Sequence, residues 1–335
     1  MRKLLRALAS AGAAVALTVA ATGCGGGSVG EATGTGNGDD GGSSGSGSGG
    51  VTLSTDRGEV TIDEPATKVV SLEWTYTEEL IALGVQPVGN ADNDGYRAWI
   101  TAPGAELDEE VTDVGDRQAP SIEKIRQLEP DLIIADDDRA QANLEELRDI
   151  APVLSFKYTT QPQLETMTGN FTEVARAVGR EDQAEEVIGR IDTAADDLRS
   201  RLEEAGKDGL KYSVAQGFTA NGTGTVRLLT DDALVPQVLN QAGMTNGWDG
   251  EPDEWGMTSV GVEGLTNLDD DVTLLTVASE DDSPFTGVFA GNPVWEGLEF
   301  VKEDRWLQLD PGTWLFGGPL SAVYVLEEAG KALNV

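Results

Sequence analysis

The sequence predicts an α/β protein made of two α/β lobes with parallel-type central sheets, joined by a single long rigid helix, with a cleft between the lobes. Three observations predict this architecture. Strand patterns alternate with helix patterns along the body of the chain. A unit of helix, strand and acidic loop at residues 122–138 recurs at residues 262–282. A long amphipathic segment, residues 181–205, lies between the two copies.

The N-terminal lobe is predicted to span residues 51–165. Residues 51–62 alternate apolar and polar side chains, which indicates an antiparallel hairpin. Residues 131–135 are almost entirely apolar, as expected of a parallel strand that is covered on both faces. Thr77 is expected to cap a helix that ends before Gly84. The other predicted elements are strands at 68–72, from 86 and at 153–156, and helices at 121–128 and 143–148.

A helical region at residues 166–206 is predicted to connect the lobes. Within it, apolar side chains recur at helical spacing along one face, at Ala184, Val187, Ile188, Ile191, Ala195 and Leu198. One continuous helix over residues 181–205 would measure about 35 Å. The C-terminal lobe, residues 207–335, is predicted to contain strands near 212–216 and 273–277 and a terminal helix at 322–333.

Acidic side chains follow the strand in each copy of the repeated unit, at residues 136–138 and 280–282. Clustered carboxylates are suitable ligands for hard metal ions. Acidic residues are also common in the solvated loops at strand ends, and we expect this simpler role at both places. The two acidic triplets are therefore not predicted to form metal sites.

The head of the chain has the features of an exported lipoprotein. Residues 1–23 combine a basic start with a short apolar run and small residues, which is typical of a secretory signal peptide. The residues before Cys24 resemble a bacterial lipobox, in which the cysteine is lipidated and becomes the new N-terminus. Residues 24–50 are then predicted to consist of a lipidated cysteine followed by a flexible Gly/Ser linker. We expect the mature protein to be anchored by lipid to the outer face of the cytoplasmic membrane.

Composition excludes several classes of function. The chain has 59 acidic and 23 basic residues, a net charge of −36, and loss of Arg2, Lys3 and Arg6 with the signal peptide leaves 59 against 20, or −39. This charge argues against nucleic acid as a partner. With no histidine and a single cysteine, no Ser-His or Cys-His catalytic pair can form. A carboxylate-based hydrolase would need two converging acids, which the sequence does not mark, so we expect no enzyme.

Aromatic and arginine side chains cluster where predicted strands give way to helices, the edge at which open α/β sheets bind ligands. The candidate ligand-binding residues are Trp74, Tyr96, Trp99 and Arg117 in the first half and Arg227, Trp248, Trp255, Trp314 and Phe316 in the second. Trp295 and Trp306 lie in apolar patterns and are expected in the core. An aromatic cleft with a few fixed cations suits a bulky anionic or neutral chelate.

Several stretches match a known family of proteins: residues 72–74 (LEW), 79–89 (ELIALGVQPVG), 96–99 (YRAW), 113–117 (DVGDR), 255–258 (WGMT), 314–317 (WLFG) and 320–322 (LSA). Through them the chain resembles, over residues 68–334, the bacterial ABC-transporter solute-binding proteins for iron siderophores and cobalamin. Within that class it is most similar to the iron(III)-hydroxamate binding proteins. The resemblance implies a protein that captures a ferric siderophore and delivers it to an ABC permease and its ATPase for iron uptake.

The resemblance also assigns roles to residues. The family's arginine, which points at the iron-coordinating oxygens, matches Arg117, and its cleft tryptophans match Trp74, Trp99, Trp248, Trp255 and Trp314. A family tyrosine has no clean counterpart in the matching loop, residues 136–139. Phe316 stands at an aromatic position without the hydroxyl, and Arg227 stands at an apolar position. The second arginine favours a more negative ferric complex, such as a carboxylate or catecholate chelate.

Partners follow from the same resemblance. The siderophore would supply the iron ligands, so no cofactor is expected, and the protein is expected to be a monomer. One acidic residue per lobe would dock on the permease, and the matching positions are Glu145 and Glu280. Two alternatives stay open: a binding protein for another bulky chelate, either cobalamin or haem, and a sensor module of the same fold without transport. The missing histidine disfavours haem.

Overall fold

Two separate β-sheets organise the protein in the computed structural model, which describes residues 50–279 and 281–335. The predicted signal peptide, Cys24, the linker up to residue 49 and Glu280 lie outside the described residues. Within the described part of the chain, every helix is too short or too polar to cross a lipid bilayer.

The first sheet is parallel throughout and follows a short hairpin. In the hairpin, β1 (Val51–Thr55) and β2 (Gly58–Ile62) pair antiparallel, as predicted. The sheet contains β3 (Val69–Ser71), β4 (Gly89–Asn90), β5 (Thr112–Asp113), β6 (Leu132–Asp136) and β7 (Val153–Phe156). Its strand order is β5-β4-β3-β6-β7. Every residue of β6 is buried, which explains the unbroken apolar run in this strand.

The helices of the first lobe are α1 (Trp74–Ala82), α2 (Asn93–Trp99), α3 (Ile122–Leu128), α4 (Asp137–Ala140) and α5 (Leu144–Arg148). The predicted cap of α1 at Thr77 is wrong. The helix begins at Trp74, and the N-cap is Glu73, whose carboxylate accepts a hydrogen bond from the Trp74 N–H at 2.9 Å. The Thr77 N–H already donates to the Glu73 carbonyl oxygen at 3.1 Å, so Thr77 lies inside the first turn. This earlier start places Glu73 and Trp74 at the carboxyl edge of the sheet.

Two consecutive helices, α6 (Gln163–Val178) and α7 (Glu181–Glu204), connect the first sheet to the second. The predicted long helix is confirmed in α7, whose 24 residues give a length of about 36 Å. Its buried face contains the predicted residues, except that Ile188 is only partly buried. Helix α7 packs against helices of the second lobe and against α6, which itself packs against α1 and β1 of the first lobe. The predicted lobe boundaries in sequence stay a prediction.

The second sheet is mixed. Its strands are β8 (Lys211–Ala220), β9 (Thr223–Leu229), β10 (Thr245–Asn246), β11 (Met257–Val260), β12 (Thr273–Val277) and β13 (Trp306–Gln308). They run in the order β11-β9-β8-β12-β13, with β10 beside β8. β9 is antiparallel to both of its neighbours because a two-residue turn at Asn221 and Gly222, both with positive φ, joins it to β8. The other pairs are parallel, as predicted.

The helices of the second lobe are α8 (Leu234–Gln241), α9 (Pro293–Gly297), α10 (Glu299–Lys302) and α11 (Pro319–Ala332), together with a 3₁₀ helix at Val262–Asn267. Trp295 and Trp306 pack together in the core of this lobe, as predicted, with ring centroids 5.0 Å apart. The helix–strand part of the repeated unit is confirmed, because α3 precedes β6 just as the 3₁₀ helix precedes β12.

The acidic loop after β6 was predicted to be solvated, but one of its acids is buried. Asp136 is buried and caps α4, accepting a hydrogen bond from the Arg139 N–H at 3.0 Å. Burial raises the pKa of Asp136 to about 6, the Arg139 hydrogen bond opposes the rise, and the charges of Asp138 and Asp137 add to it. Asp138 is exposed, as predicted, and pairs with Lys157 at 3.0 Å.

Contacts besides α7 join the end of the chain to the first lobe. The Thr75 hydroxyl on α1 donates to the Phe316 carbonyl oxygen at 2.6 Å. Glu78, also on α1, accepts hydrogen bonds from the N–H and the hydroxyl of Ser321 on α11, at 2.7 and 2.6 Å. Gly317 permits this approach, since a Cβ there would lie 2.7 Å from Glu78 Oε2. The two lobes therefore share a fixed contact as well as a helix.

Glu79, next to Glu78 on α1, is an unusual buried acid. Its side chain is fully buried, and neither carboxyl oxygen has a hydrogen-bond partner among the described residues. Burial raises the pKa of Glu79 well above its ordinary value, and the charge of Glu78 adds to the rise. The folded protein therefore favours the protonated form of Glu79.

We expect Glu79→Gln to remove a pH dependence of stability. Because the pKa of Glu79 is raised on folding, the folded protein binds more protons than the unfolded chain above about pH 4.5. The wild type should therefore lose stability relative to the variant as pH rises. The difference in the free energy of unfolding, wild type minus variant, should fall by up to about 1.4 kcal/mol per pH unit until the raised pKa is reached. Urea unfolding at several pH values measures this difference.

Glu186→Gln on the outer face of α7 is the matched control, because Glu186 is exposed and pairs with Arg190. Its stability relative to the wild type should stay nearly constant over the same pH range. A constant difference for Glu79→Gln as well would contradict the assignment of a buried, protonated Glu79.

Candidate ligand-binding cavity

A cavity between the two sheets brings together side chains from both halves of the chain. Its volume is about 370 Å³, and it is lined by Arg117, Arg139, Tyr158, Arg227, Asp253, Trp255, Met257, Ser259, Trp314 and Phe316. Arg117, Arg139 and Tyr158 follow β5, β6 and β7, so all three come from the carboxyl edge of the first sheet. Arg227 lies on β9 and Ser259 on β11 of the second sheet.

A single buried carboxylate holds two of the arginines. Glu73, which is 1% exposed, accepts a hydrogen bond from Arg117 Nη1 at 2.8 Å on Oε1 and pairs with Arg139 Nη1 through Oε2. The Arg117 guanidinium also lies over the Trp74 ring, 3.5 Å from its centroid, in a cation–π contact. Burial lowers the pKa of Arg117, yet a guanidinium remains charged at neutral pH. Both arginines are therefore positioned by the protein itself.

Aromatic rings form a continuous wall beside these arginines. Trp255 contacts Tyr158, with centroids 5.7 Å apart, and Phe316, at 6.0 Å. Phe316 contacts Trp314 at 5.4 Å, and Trp314 contacts Trp74 at 5.3 Å. Since Tyr158 comes from the first lobe and Trp255 from the second, their contact joins the two halves along one side of the cavity.

Arg227 reaches the cavity from the second sheet. Its guanidinium lies 4.7 Å from the centroid of the Phe218 ring and donates to Gln216 Oε1 at 3.2 Å. Asp253 lines the same cavity, but its Oδ1 accepts hydrogen bonds from the N–H groups of Trp255 at 2.9 Å and Met257 at 3.1 Å. The cavity thus combines three guanidinium groups with Asp253, whose carboxylate already accepts hydrogen bonds from its own loop.

Tyr158 adds a neutral hydroxyl to this set. Burial raises the pKa of Tyr158 to about 12, Arg139 lowers it and Asp136 raises it further. The hydroxyl oxygen lies 3.5 Å from Arg139 Nη2 and remains protonated at neutral pH. Guanidinium groups and this hydroxyl offer donors to the oxygen atoms of an anionic ligand. Among the described residues, no group of three or more cysteine, aspartate and glutamate side chains is arranged to hold a metal ion.

The structure brings five of the predicted residues to the cavity surface: Arg117, Arg227, Trp255, Trp314 and Phe316. Trp74 and Trp99 lie behind that surface. Trp74 is buried beneath the Arg117 guanidinium, and Trp99 packs against Trp314 with centroids 5.8 Å apart. These two indoles therefore support the wall rather than line the cavity.

Tyr96 and Trp248, which were also predicted to bind the ligand, lie in the cores of the first and second lobes and outside the cavity lining. Tyr96 is fully buried, and its hydroxyl donates to the Ala105 carbonyl oxygen at 2.8 Å, because α2 directs the ring into the core of the first lobe. Trp248 is 7% exposed, packs in the core of the second lobe and donates its Nε1–H to the Thr258 hydroxyl at 3.1 Å. Both polar groups are satisfied within the protein.

Sequence reasoning missed five lining residues: Arg139, Tyr158, Asp253, Met257 and Ser259. A usable signal existed for two of them, since Arg139 and Tyr158 each follow a correctly predicted strand. The resemblance sought a tyrosine in the loop after β6, whereas the structure places a tyrosine ring in the cavity from the loop after β7.

A larger open groove of about 680 Å³ lies on another face, between α6, α7 and α8. Its lining includes Leu164, Ile188 and Ile191 with the acids Glu165 and Asp192, and contains neither a cationic nor an aromatic side chain. The smaller cavity is the better candidate site because positively charged, polar and aromatic groups converge there.

Comparison with known proteins identifies relatives over most of the chain. The family described as periplasmic binding protein matches residues 69–313. The iron(3+)-hydroxamate-binding protein FhuD of Escherichia coli is 27% identical over 268 residues, which cover 80% of this chain and 87% of that protein. The Fe(3+)-citrate-binding protein YfmC of Bacillus subtilis is 27% identical over 259 residues, or 77% of this chain and 78% of that protein.

A solved structure shows the same architecture. The crystal structure of the Fe3+–Desferal-bound siderophore-binding protein FhuD from Vibrio cholerae superimposes with a TM-score of 0.71 at 27% sequence identity. The match covers 80% of this chain and 97% of that one.

We expect Glu73→Gln to destabilise the fold strongly, because it leaves two partly buried guanidinium groups without their shared counter-charge. The expected loss in the free energy of unfolding is about 3 kcal/mol. Glu186→Gln, which removes the exposed partner of Arg190, should cost less than about 1 kcal/mol. Urea unfolding of both variants at neutral pH provides the comparison, and equal small losses would contradict the role given to Glu73.

Proposed function

The chain belongs to the periplasmic binding protein family, and from this we propose that it is the substrate-binding component of an ABC importer that captures a ferric siderophore. The relatives named above bind a ferric hydroxamate in one case and ferric citrate in the other, according to their names. The Vibrio cholerae neighbour holds a ferric complex of a siderophore. These relatives support the general class of ligand for this chain.

The observation that carries the proposal is the position of Arg117. Its guanidinium is fixed by Glu73 and Trp74 at the edge of a cavity whose far parts come from the second lobe. A chelate placed there would contact cations and rings from both lobes at once. Arg117 would donate to oxygen atoms around the iron, and Trp255, Trp314 and Phe316 would contact the organic part of the ligand.

In this function the protein performs no chemistry on its ligand. The siderophore supplies the iron ligands, so the protein recognises the surface of the complex rather than the metal. The shared contact between α1 and α11 and the length of α7 support a cavity that is largely formed before the ligand arrives. Binding to a formed site avoids much of the cost of ordering loops.

Delivery of the ligand would require two further features. Lipidation of Cys24 would hold the protein at the outer face of the cytoplasmic membrane, within reach of the permease. Glu145 on α5 would dock on the permease, since its side chain is 88% exposed and pairs only with the neighbouring Arg148 at 3.0 Å among the described residues. Glu280 would be the second docking residue.

We expect a ferric siderophore to quench the tryptophan emission of the purified protein, because Trp255 and Trp314 line the cavity. Arg117→Ala should raise the Kd at least tenfold, which corresponds to about 1.4 kcal/mol. Arg190→Ala on the outer face of α7 is the control and should bind like the wild type. Unchanged emission across ferric hydroxamate, catecholate and citrate complexes would contradict the proposed function.

Glu145→Arg combined with Glu280→Arg should abolish iron uptake in cells that depend on this protein, while the purified variant binds its ligand normally, because like charges would then meet at the permease. Glu186→Arg reverses an exposed acid on α7 and should leave uptake intact. Normal uptake by the double variant would rule out these two docking residues.

A further inference from the structure

The cavity has a charge opposite to that of the protein as a whole. The chain carries a net charge of −36, yet three arginines line one cavity of about 370 Å³. Asp253 lines the cavity with them, and Glu73 lies behind Arg117 and Arg139. The charges of Asp92, Asp116 and Asp136 also act on Arg117, but these acids lie outside the cavity lining. The cavity surface itself therefore carries three guanidinium groups and one carboxylate.

Among the described residues, neither Glu73 nor Asp253 forms an ion pair with Arg227. Glu73 already bridges Arg117 and Arg139 with its two oxygens. Asp253 accepts two backbone hydrogen bonds through Oδ1. Within residues 50–279 and 281–335, the Arg227 guanidinium has an aromatic ring and the neutral Gln216 amide as partners, and no carboxylate within ion-pair distance.

A partly buried guanidinium without a counter-charge is costly to keep in a folded protein. Such a group is retained at low cost when a ligand supplies the missing negative charge. Arg227 and the outward-facing N–H groups of Arg139 and Arg117 surround the same space. Each planar guanidinium matches the two oxygens of a carboxylate, which accept parallel hydrogen bonds from it.

Ferric complexes differ in net charge. Three singly charged hydroxamate groups neutralise one ferric ion, so a trihydroxamate complex offers no excess negative charge. A citrate-type ligand binds iron through its hydroxyl and part of its carboxylates, and the complex keeps a negative charge on carboxylate oxygens. A catecholate complex is also negative, but its charge lies on the oxygens that coordinate iron and it presents no carboxylate fork.

We propose that this cavity selects a ferric α-hydroxycarboxylate chelate with net negative charge, and that Arg139 and Arg227 are the residues that determine this specificity. The proposal rests on the ferric-siderophore function argued above and names the class of siderophore. Arg139 is placed by Glu73 on the first lobe, and Arg227 is placed by Phe218 on the second. A carboxylate-rich complex would join these two cations across the cavity.

The test compares three probes by tryptophan quenching of the purified mature protein: ferric citrate, the neutral trihydroxamate ferrichrome, and the ferric complex of the tricatecholate enterobactin. We expect ferric citrate to bind at least about tenfold more tightly than either other complex. Its affinity should also fall as salt is added, since the interaction is between opposite charges. Ferrichrome or the catecholate binding as tightly as ferric citrate would overturn the inference and leave the proposed function standing. Failure of all three to bind would overturn both.

Variants separate specificity from general loss of binding. Arg227→Gln should weaken ferric citrate binding about tenfold or more and flatten its salt dependence. Arg190→Gln on α7 is the matched control and should change neither quantity. Arg227 contacts solvent and no carboxylate among the described residues, so the variant is expected to fold, and an unchanged melting temperature checks this. Arg227→Gln binding ferric citrate like the wild type would contradict the role of Arg227.

Discussion

The pairing of Glu73 with two arginines is the interaction on which the candidate site depends. Glu73 follows β3, caps α1 and is almost fully buried, so its carboxylate is costly unless it is paired. Arg117 and Arg139 provide that pairing from the segments that follow β5 and β6 at the same sheet edge. One residue therefore connects the start of a helix, the electrostatic balance of the first lobe and the position of the cations that face the cavity.

The second constraint is that the two lobes are held together at several places. Helix α7 packs against α8 and α11 of the second lobe and against α6, which itself packs against α1 and β1 of the first lobe. Where the chain returns to α1, the Phe316 carbonyl oxygen accepts a hydrogen bond from Thr75, and the Ser321 hydroxyl donates one to Glu78. The same return carries Trp314 and Phe316 into the aromatic wall. As a consequence, the packing that joins the lobes also builds one side of the cavity. This arrangement is consistent with a site that is largely formed without its ligand.

Most helices and strands could be predicted from the sequence because a regular apolar pattern reflects burial over many residues. The apolar face of α7 and the fully buried β6 are examples. Site residues depend on the direction of single side chains, which periodicity does not specify. Tyr96 was predicted in the cleft, yet its position on α2 turns the ring into the core. Tyr158 was overlooked although it follows a predicted strand, because recognition of its role requires Trp255 from the other lobe. The antiparallel direction of β9 likewise depends on the local turn at Asn221 and Gly222, which an apolar pattern does not reveal.

In the proposed function, cations and rings of both lobes bind one ferric complex whose iron is coordinated by the chelator. The most direct measurement is a crystal structure of the protein with a ferric complex, with the iron located by its anomalous scattering. We expect an iron position inside the cavity between Arg117, Arg227 and Trp255, with every iron ligand supplied by the chelator. Iron found outside this cavity, or coordinated directly by a protein side chain such as Asp253, would contradict it.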